Sequence, residues 1–527
     1  MTVETSVALG AEGRPAPPSL SRPPAPPALS PVEGGLGAVR GLRCAGVSAG
    51  FRRNPERKDL ALVVTQRPAV AAGVFTQNLF CAAPVVVSRR HLEQAALPAG
   101  DAASAVAGGA PAFAVSASGA AAAATPPASA GDAPADSSAA PAPGIRAIVL
   151  NSGNANAATG EAGMRCALGT ARIVAEHLGC EPHQVLVAST GVIGVPLVEA
   201  PFVTGIPLAL AALGAADGTA AEAGLAAASA IMTTDTHPKQ AALTFTAQGT
   251  AQGGTAQGTA QGDGSFVLPE GTRSRCGSTK EPSPCAVPSE SSRTYTIGGM
   301  VKGSGMIQPD MATLLGVLAT DAPLTQEAAQ RALRRAVDVT FNKVTVDSDT
   351  STNDSVYLLA TGAAAGPPVS VDGPLFEPFV LALTALCEDL ARQIAADGEG
   401  ATKLVTVNVT GASDDAQADR AGRAVANSPL VKTAIAGHDA NWGRIAMAIG
   451  KSGAAFRQQD VGITVMGIPV CEGGLPVPFD EDEALRRFEG RPEVVIDIDL
   501  GAGAGSARLW TCDLTHGYVS INGDYRT

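Results

Sequence analysis

Lys302-Gly-Ser-Gly-Met-Ile-Gln-Pro-Asp-Met-Ala-Thr313-Leu-Leu315 places a small residue, Ala312, before a hydroxyl residue, Thr313, at the end of a run of turn formers. One reading is a glycine loop running into an ordinary strand over 312–319. The other is a bond at which the chain cuts itself. Thr313 Oγ would attack the Ala312 carbonyl and the resulting ester would hydrolyse. The new N-terminal threonine would then carry a nucleophile and, in its own α-amine, a base. A lone Ala-Thr pair favours the ordinary strand on frequency alone, so the surrounding sequence must decide whether the chain is one unit or two, 1–312 and 313–527.

Immediately upstream, residues 242–247 (Ala-Leu-Thr-Phe-Thr-Ala) and 293–298 (Arg-Thr-Tyr-Thr-Ile-Gly) both alternate with period two, as two strands of a hairpin do. Between them, 247–292 carries repeated Thr-Ala-Gln-Gly units and a Ser/Pro-rich stretch. It reads as an overgrown hairpin loop, since surface loops lengthen at little cost. Residues 1–32 are Pro-rich, and 97–144 are Ala/Pro/Ser/Gly low complexity. All three segments are too poor in large apolar residues to offset their ordering entropy, so disorder is expected there, without consequence for chemistry.

The remainder alternates strands and helices. Strands are predicted at Ile145–Asn151, Val185–Ser189, Lys403–Thr410 and Trp510–Asn522. Helices are predicted at Gly163–Leu178, Gln326–Val339, Leu375–Ala396 and Ser428–Ala436, the last with Ser428 as N-cap and Pro429 in the first turn. This mixture predicts an α/β protein built as a layered sandwich of sheets and helices. Apolar residues make up 45% and charged residues 16%, enough for a large core, and the net charge of −12 argues against a nucleic-acid surface. Nine scattered cysteines form no zinc-type cluster, and no dinucleotide or Walker fingerprint is present. No secretory, transit or membrane-spanning segment is recognisable, so a cytoplasmic protein without resident metal or cofactor is expected.

Several short polar runs can carry chemistry, each with a plainer alternative. Thr190 and Gly191, in Ala188-Ser-Thr-Gly-Val-Ile-Gly194, end a strand where a hydroxyl and a backbone N–H can point at an oxyanion, or simply turn the chain. Ile231-Met-Thr-Thr-Asp-Thr-His-Pro-Lys239 can bind a zwitterion or cap the next element, with His237 favoured as a surface residue. Val346–Asp354 has the composition of a calcium loop but lacks its glycine and terminal glutamate, which favours a structural turn near the site. Glu399, between two glycines, reads as an exposed carboxylate on a turn, able to relay a proton or bind an amine. Gly437–Arg444 is a further polar loop, and the terminal Asn522–Thr527 would ordinarily fray.

Taken together these runs resemble the ornithine acetyltransferases, or glutamate N-acetyltransferases, of arginine biosynthesis. The resemblance rests on Phe75-Thr-Gln-Asn78, Asn151–Asn156, Ser189–Gly194, Met232–Thr236, Lys302–Leu315, Val346–Asp354, Gly398–Lys403, Asn441–Arg444 and Asn522–Thr527. They occur in the family's order and span nearly everything outside the tail and the two inserts. The resemblance implies a fold like that of the N-terminal-nucleophile-like, DmpA-type aminopeptidases. It implies cleavage between Ala312 and Thr313 into an α chain and a β chain that pair as an α2β2 heterotetramer. Thr313 becomes the nucleophile, and Thr190 and Gly191 the oxyanion hole. Substrate contacts fall on Lys302, Thr313, Glu399, Asn522, Thr527 and one of Thr233 and Thr234. The implied reaction is ping-pong transfer of acetyl from N2-acetyl-L-ornithine to L-glutamate. Whether acetyl-CoA is a second donor is left open, and an N-terminal-nucleophile amidohydrolase or aminopeptidase is the alternative.

Overall fold

In a computed structural model, residues 27–96, 143–214, 218–248, 292–308 and 314–524 are described. Ala312, Thr313, Thr527 and the greater part of the tail and both inserts lie outside these residues. Among the described residues two sheets dominate. The larger contains β1 (Ala28–Pro31), β2 (Leu42–Val47), β3 (Leu60–Phe75), β4 (Ile145–Asn154), β5 (Val185–Val192), β6 (Lys239–Gln248), β7 (Ser292–Lys302), β8 (Leu315–Thr320) and β9 (Ser355–Ala360). Its order is β1-β6-β7-β8-β9-β3-β4-β5, with β2 also pairing β3. The smaller contains β10 (Leu404–Ala412), β11 (Gly462–Val465), β12 (Ile468–Glu472), β13 (Leu475–Pro476), β14 (Glu493–Asp499) and β15 (Gly505–Cys512). Its order is β13-β12-β11-β14-β10-β15.

The predicted hairpin is β6 against β7, antiparallel from Lys239↔Val301 to Gln248↔Ser292. The insert therefore leaves and re-enters the sheet at paired residues. β8, directly after the Lys302–Leu315 run, pairs antiparallel with β7 and parallel with β9. The 16-residue β3 serves two neighbourhoods, since Leu60–Val64 pair with β4 and Val70–Phe75 with β9. One face of this sheet buries Val74, Phe245, Ile297, Leu318 and Leu358 against two helices. In Gln326–Val339, Thr325 caps the Ala328 N–H and Ala329, Ala332, Leu333 and Ala336 recur at helical spacing on the buried side. Phe376–Ala396 buries Phe379, Leu383, Leu386, Leu390 and Ile394 in the same way. Helices Ala83–Ala95, Gly160–Leu178, Ala200–Gly214 and Ala220–Ala230 contribute to cores around β2 to β5. The smaller sheet is covered by helices Asp415–Ala426, Pro429–Ala436, Trp442–Gly450 and Glu481–Phe488. The layered α/β sandwich expected from the alternating pattern is thus present, and Ser428 does cap Pro429–Ala436.

Four expectations need correction. Residues 28–31, placed in the tail by composition, form edge strand β1, held by antiparallel pairing to Leu243–Thr246. β5 does not stop at Ser189; its parallel pairing with β4 continues through an irregularity at Gly153–Asn154, so Thr190 and Gly191 lie inside the strand. Trp510–Asn522 is not a single strand: β15 ends at Cys512, and His516–Asp524 is a helix. Thr515 nucleates that helix by accepting from Gly517 N (3.0 Å) while donating to Gly400 O (2.6 Å). Glu399 is buried rather than exposed, folded over Gly305. Among the described residues, no helix is long and apolar enough to cross a membrane.

Candidate active site

A cavity of about 260 Å3 opens where the larger sheet meets the loop before β10 and the C-terminal helix. Thr190 and Gly191 come from the last residues of β5, Ile193 from just after it, and Thr233 and Thr234 from the loop before β6. Lys302, Gly305 and Met306 come from the end of β7 and the run that follows, and Asp347 to Asp354 from the loop before β9. Glu399, Tyr518 and Asn522 complete the wall. Every expected site residue that is described lines this one cavity: Thr190, Gly191, both Thr233 and Thr234, Lys302, Glu399 and Asn522. Leu314, the covalent neighbour of Thr313, lines it too.

Local chemistry fixes each wall. Gly191 has φ +133°, and a Cβ there would lie 2.3 Å from the Gly153 carbonyl carbon, so only glycine fits. Asn353 ties this strand end to the opposite loop, donating to Ser189 O at 2.8 Å and to Ala155 O. Lys302 Nζ is 3.3 Å from Thr190 Oγ1. An ammonium only donates, so Thr190 Oγ1 accepts here and keeps its own proton for another acceptor. Burial is the largest influence on Lys302 and pushes its ammonium below the ordinary lysine range. Lys239 acts in the same direction, while Asp235, Asp354 and Glu399 oppose.

On the opposite side, Asp347 accepts from Met306 N at 2.6 Å and Ile307 N at 2.8 Å, fixing the segment after Gly305. Tyr518 OH donates to the same carboxylate at 3.4 Å. Asn522 Nδ2 donates to Glu399 Oε2 at 2.7 Å, which places the C-terminal helix against the Glu399 turn. Burial and the carboxylates of Asp347, Glu399 and Asp349 raise the Tyr518 phenol, so it stays protonated as a donor. The Val346–Asp354 run is therefore a hydrogen-bonding turn, as expected, and also a wall of the site.

Residue patterns did not point to Lys239 and Asp397. Lys239 Nζ is fully buried between Asp235 Oδ1 (2.6 Å) and Asp397 Oδ2. Asp235, whose expected role was zwitterion binding or capping, points inward instead. Burial works against its charge, yet Lys239, Lys302 and the Thr233 N–H together hold its carboxyl well below the usual range. Its i,i+4 spacing to Lys239 was visible in the sequence, but the Asp397 partner is 158 residues away. His237 is largely exposed, as expected, with Nδ1 3.4 Å from Asp397.

A layered α/β scaffold with one ammonium, several carboxylates and a hydroxyl-glycine pair around a small cavity has the wall chemistry of an enzyme that acts on small, polar molecules. The chain belongs to the ArgJ family, whose sequence model matches residues 43–140, 112–267 and 279–527. The arginine biosynthesis bifunctional protein ArgJ of Symbiobacterium thermophilum is 41% identical over 497 residues, 94% of this chain and 99% of that protein. The protein of the same name from Bacillus subtilis is 36% identical over 496 residues, 94% of this chain and 97% of its own. Among solved structures, arginine biosynthesis bifunctional protein ArgJ from Bacillus halodurans is 44% identical, covering 40% of this chain and 98% of that one, with a TM-score of 0.39. Ornithine acetyltransferase from Mycobacterium tuberculosis, solved with ornithine, is 30% identical, covering 41% of this chain and 88% of that one, with a TM-score of 0.30.

Proposed function

We propose that this chain is an acetyltransferase of arginine biosynthesis that moves acetyl from N2-acetyl-L-ornithine to L-glutamate. In this reading Thr313 Oγ first attacks the Ala312 carbonyl, and water hydrolyses the ester, leaving Thr313 as the N-terminus of the 313–527 chain. In each turnover Thr313 Oγ attacks the acetyl carbonyl, and the Thr313 α-amine takes the hydroxyl proton. The Thr190 hydroxyl and the Gly191 N–H donate to the oxyanion. The C–N bond breaks, the α-amine returns the proton to the departing ornithine, and an acetyl ester remains. The amine of glutamate then attacks that ester, and the same steps run in reverse order.

The observation that carries this reading is the Lys302–Thr190 contact, which leaves a hydroxyl proton for an oxyanion on a wall shared with Leu314. Lys302 facing Glu399 and Asp347 across the cavity suits an amino acid's carboxylate and ammonium. Acetyl-CoA, as a second donor, would be a co-substrate rather than a cofactor, and an assay with acetyl-CoA and glutamate alone decides whether it is used; the steps above call for no metal. The two chains remain together as an α2β2 assembly in the cytoplasm.

The decisive experiment is Thr313→Ala, assayed for cleavage on a denaturing gel and for transfer from acetylornithine to glutamate. The expected result is one uncut band and no N-acetylglutamate. An uncut variant with full transfer activity overturns the mechanism. Ornithine release by the wild type without matching N-acetylglutamate would favour the hydrolase alternative.

A further inference from the structure

Lys239 does not line the cavity, yet three cavity walls converge on it. Its ammonium lies between Asp235 Oδ1 and Asp397 Oδ2. Asp235 also accepts from Thr233 N and from Gly303 N, each at 2.8 Å. Asp397 accepts from Thr236 N at 3.0 Å and from the Thr236 hydroxyl. The main-chain carbonyl of Asp397 accepts from Ser304 Oγ at 2.6 Å, and Ser304 O accepts from Glu399 N at 3.0 Å. One buried cation thus ties together the threonine loop at 233–236, the root of the cleavage segment at 303–304, and the Glu399 turn.

The cluster is dense in charge. Lys239 lies between Asp235 and Asp397, while Lys302, next to the Val301 that pairs with Lys239, faces Asp235, Asp354 and Glu399. A buried pair that loses one partner leaves an uncompensated charge, which is strongly destabilising. Such a cluster is therefore poor insulation but a stringent locator: the three segments keep their ionised groups buried only in one mutual arrangement.

We propose that Lys239 is a positioning residue for both reactions of this site, holding the Gly303–Ser304 root of the cleavage segment and the Glu399 turn in register with Thr233. The inference rests on the self-cleaving acetyltransferase reading. Lys239 touches neither substrate nor the reacting atoms. It acts through Asp235 and Asp397, so its removal shifts the segment that leads to the 312–313 bond and the walls that hold substrate.

The test compares the wild-type full chain with Lys239→Met, with Lys239→Met/Asp397→Asn, which restores charge balance without the bridge, and with Ser304→Ala, which removes one link of the clamp. Cleavage is followed on denaturing gels during expression and incubation, folding by thermal melting, and transfer by its pH profile. Folded variants should cleave at least about tenfold more slowly, since small misplacements of reacting groups cost that much or more. Lys239→Met should also move the alkaline limb of transfer upward. Lys302 then faces Asp235, Asp354 and Glu399 with no opposing cation from Lys239. That limb moves with the loss of charge alone, so the rates decide: a purely structural role would lower the melting temperature and leave cleavage and transfer by the folded variants at wild-type rates. If Lys239→Met does not fold, the double variant and Ser304→Ala carry the same expectation for cleavage. Wild-type rates of cleavage and transfer in any of these folded variants overturn the proposal. A wild-type chain that stays uncut instead overturns the self-cleavage reading, a distinguishable result.

Discussion

Thr190 is fixed by what it accepts. With Lys302 donating to its oxygen, its hydroxyl proton is left for another acceptor, which in the proposed reaction is the oxyanion. Thr190→Ala should lower kcat for transfer by about 10²-fold or more, the usual effect of removing one oxyanion donor, with little change in melting temperature. Thr190→Ser should retain most activity, because the hydroxyl is what matters; steady-state kinetics on both variants check this. Lys302 makes a second residue-scale prediction. Its ammonium titrates below the ordinary value of 10.5, so its charge is lost as pH rises through that lowered value. Activity that needs the charged form therefore falls earlier on the alkaline side than an exposed lysine would allow. Stability moves the other way: between the lowered and ordinary values the unfolded chain binds more protons than the folded one, so stability rises with pH there. Lys302→Arg keeps its charge throughout and should shift the alkaline limb upward in a pH series of kcat/KM.

At the scale of elements, the C-terminal helix His516–Asp524 is held more by docking than by its own sequence. It has two glycines and no buried face, and it stands because Thr515 and Gly517 fit against Gly400. Gly400 has φ +71°, and a Cβ there would lie 2.4 Å from Tyr518 N. Gly400→Ala should therefore displace the helix, withdrawing Tyr518 and Asn522 from the cavity. KM should rise by about tenfold while the melting temperature falls little, because the strain of about 1–2 kcal/mol is released locally by undocking. Substrate titrations and a thermal melt read the two effects. The same helix shows why part of this chain was illegible as sequence. Tyr518, Val519 and Ile521 suggest a strand, and only the distant Gly398–Gly400 turn makes a helix of them. β1 was hidden in the same way, since Ala28-Leu-Ser-Pro31 has no strand signature until Leu243–Thr246 offers an edge. The hairpin and the helices Gln326–Val339 and Phe376–Ala396 were legible because their apolar periodicity is local and strong. The cavity residues were legible as separate runs, whereas the Asp235–Lys239–Asp397 cluster depends on a pairing across 158 residues.

At the scale of the whole molecule, β6 and β7 stay in antiparallel register to their outer ends, Gln248 opposite Ser292. The ends of the 249–291 connection are thus already at hairpin distance, and the cavity is built at the other end of these strands, where Lys302 lines it and Lys239 is buried behind its walls. A chain in which Asn-Gly replaces 249–291 should fold, because a two-residue turn matches the twist of such a pair. Loop-closure entropy grows only with the logarithm of length, so the gain in stability should be no more than about 3 kcal/mol. Transfer kinetics should be unchanged within about twofold, since no strand that carries a cavity residue changes register. Melting curves and steady-state assays of the shortened chain test this. A large loss of activity with an intact melting transition would mean that the connection takes part in catalysis or assembly, and gel filtration of the same variant would separate those two.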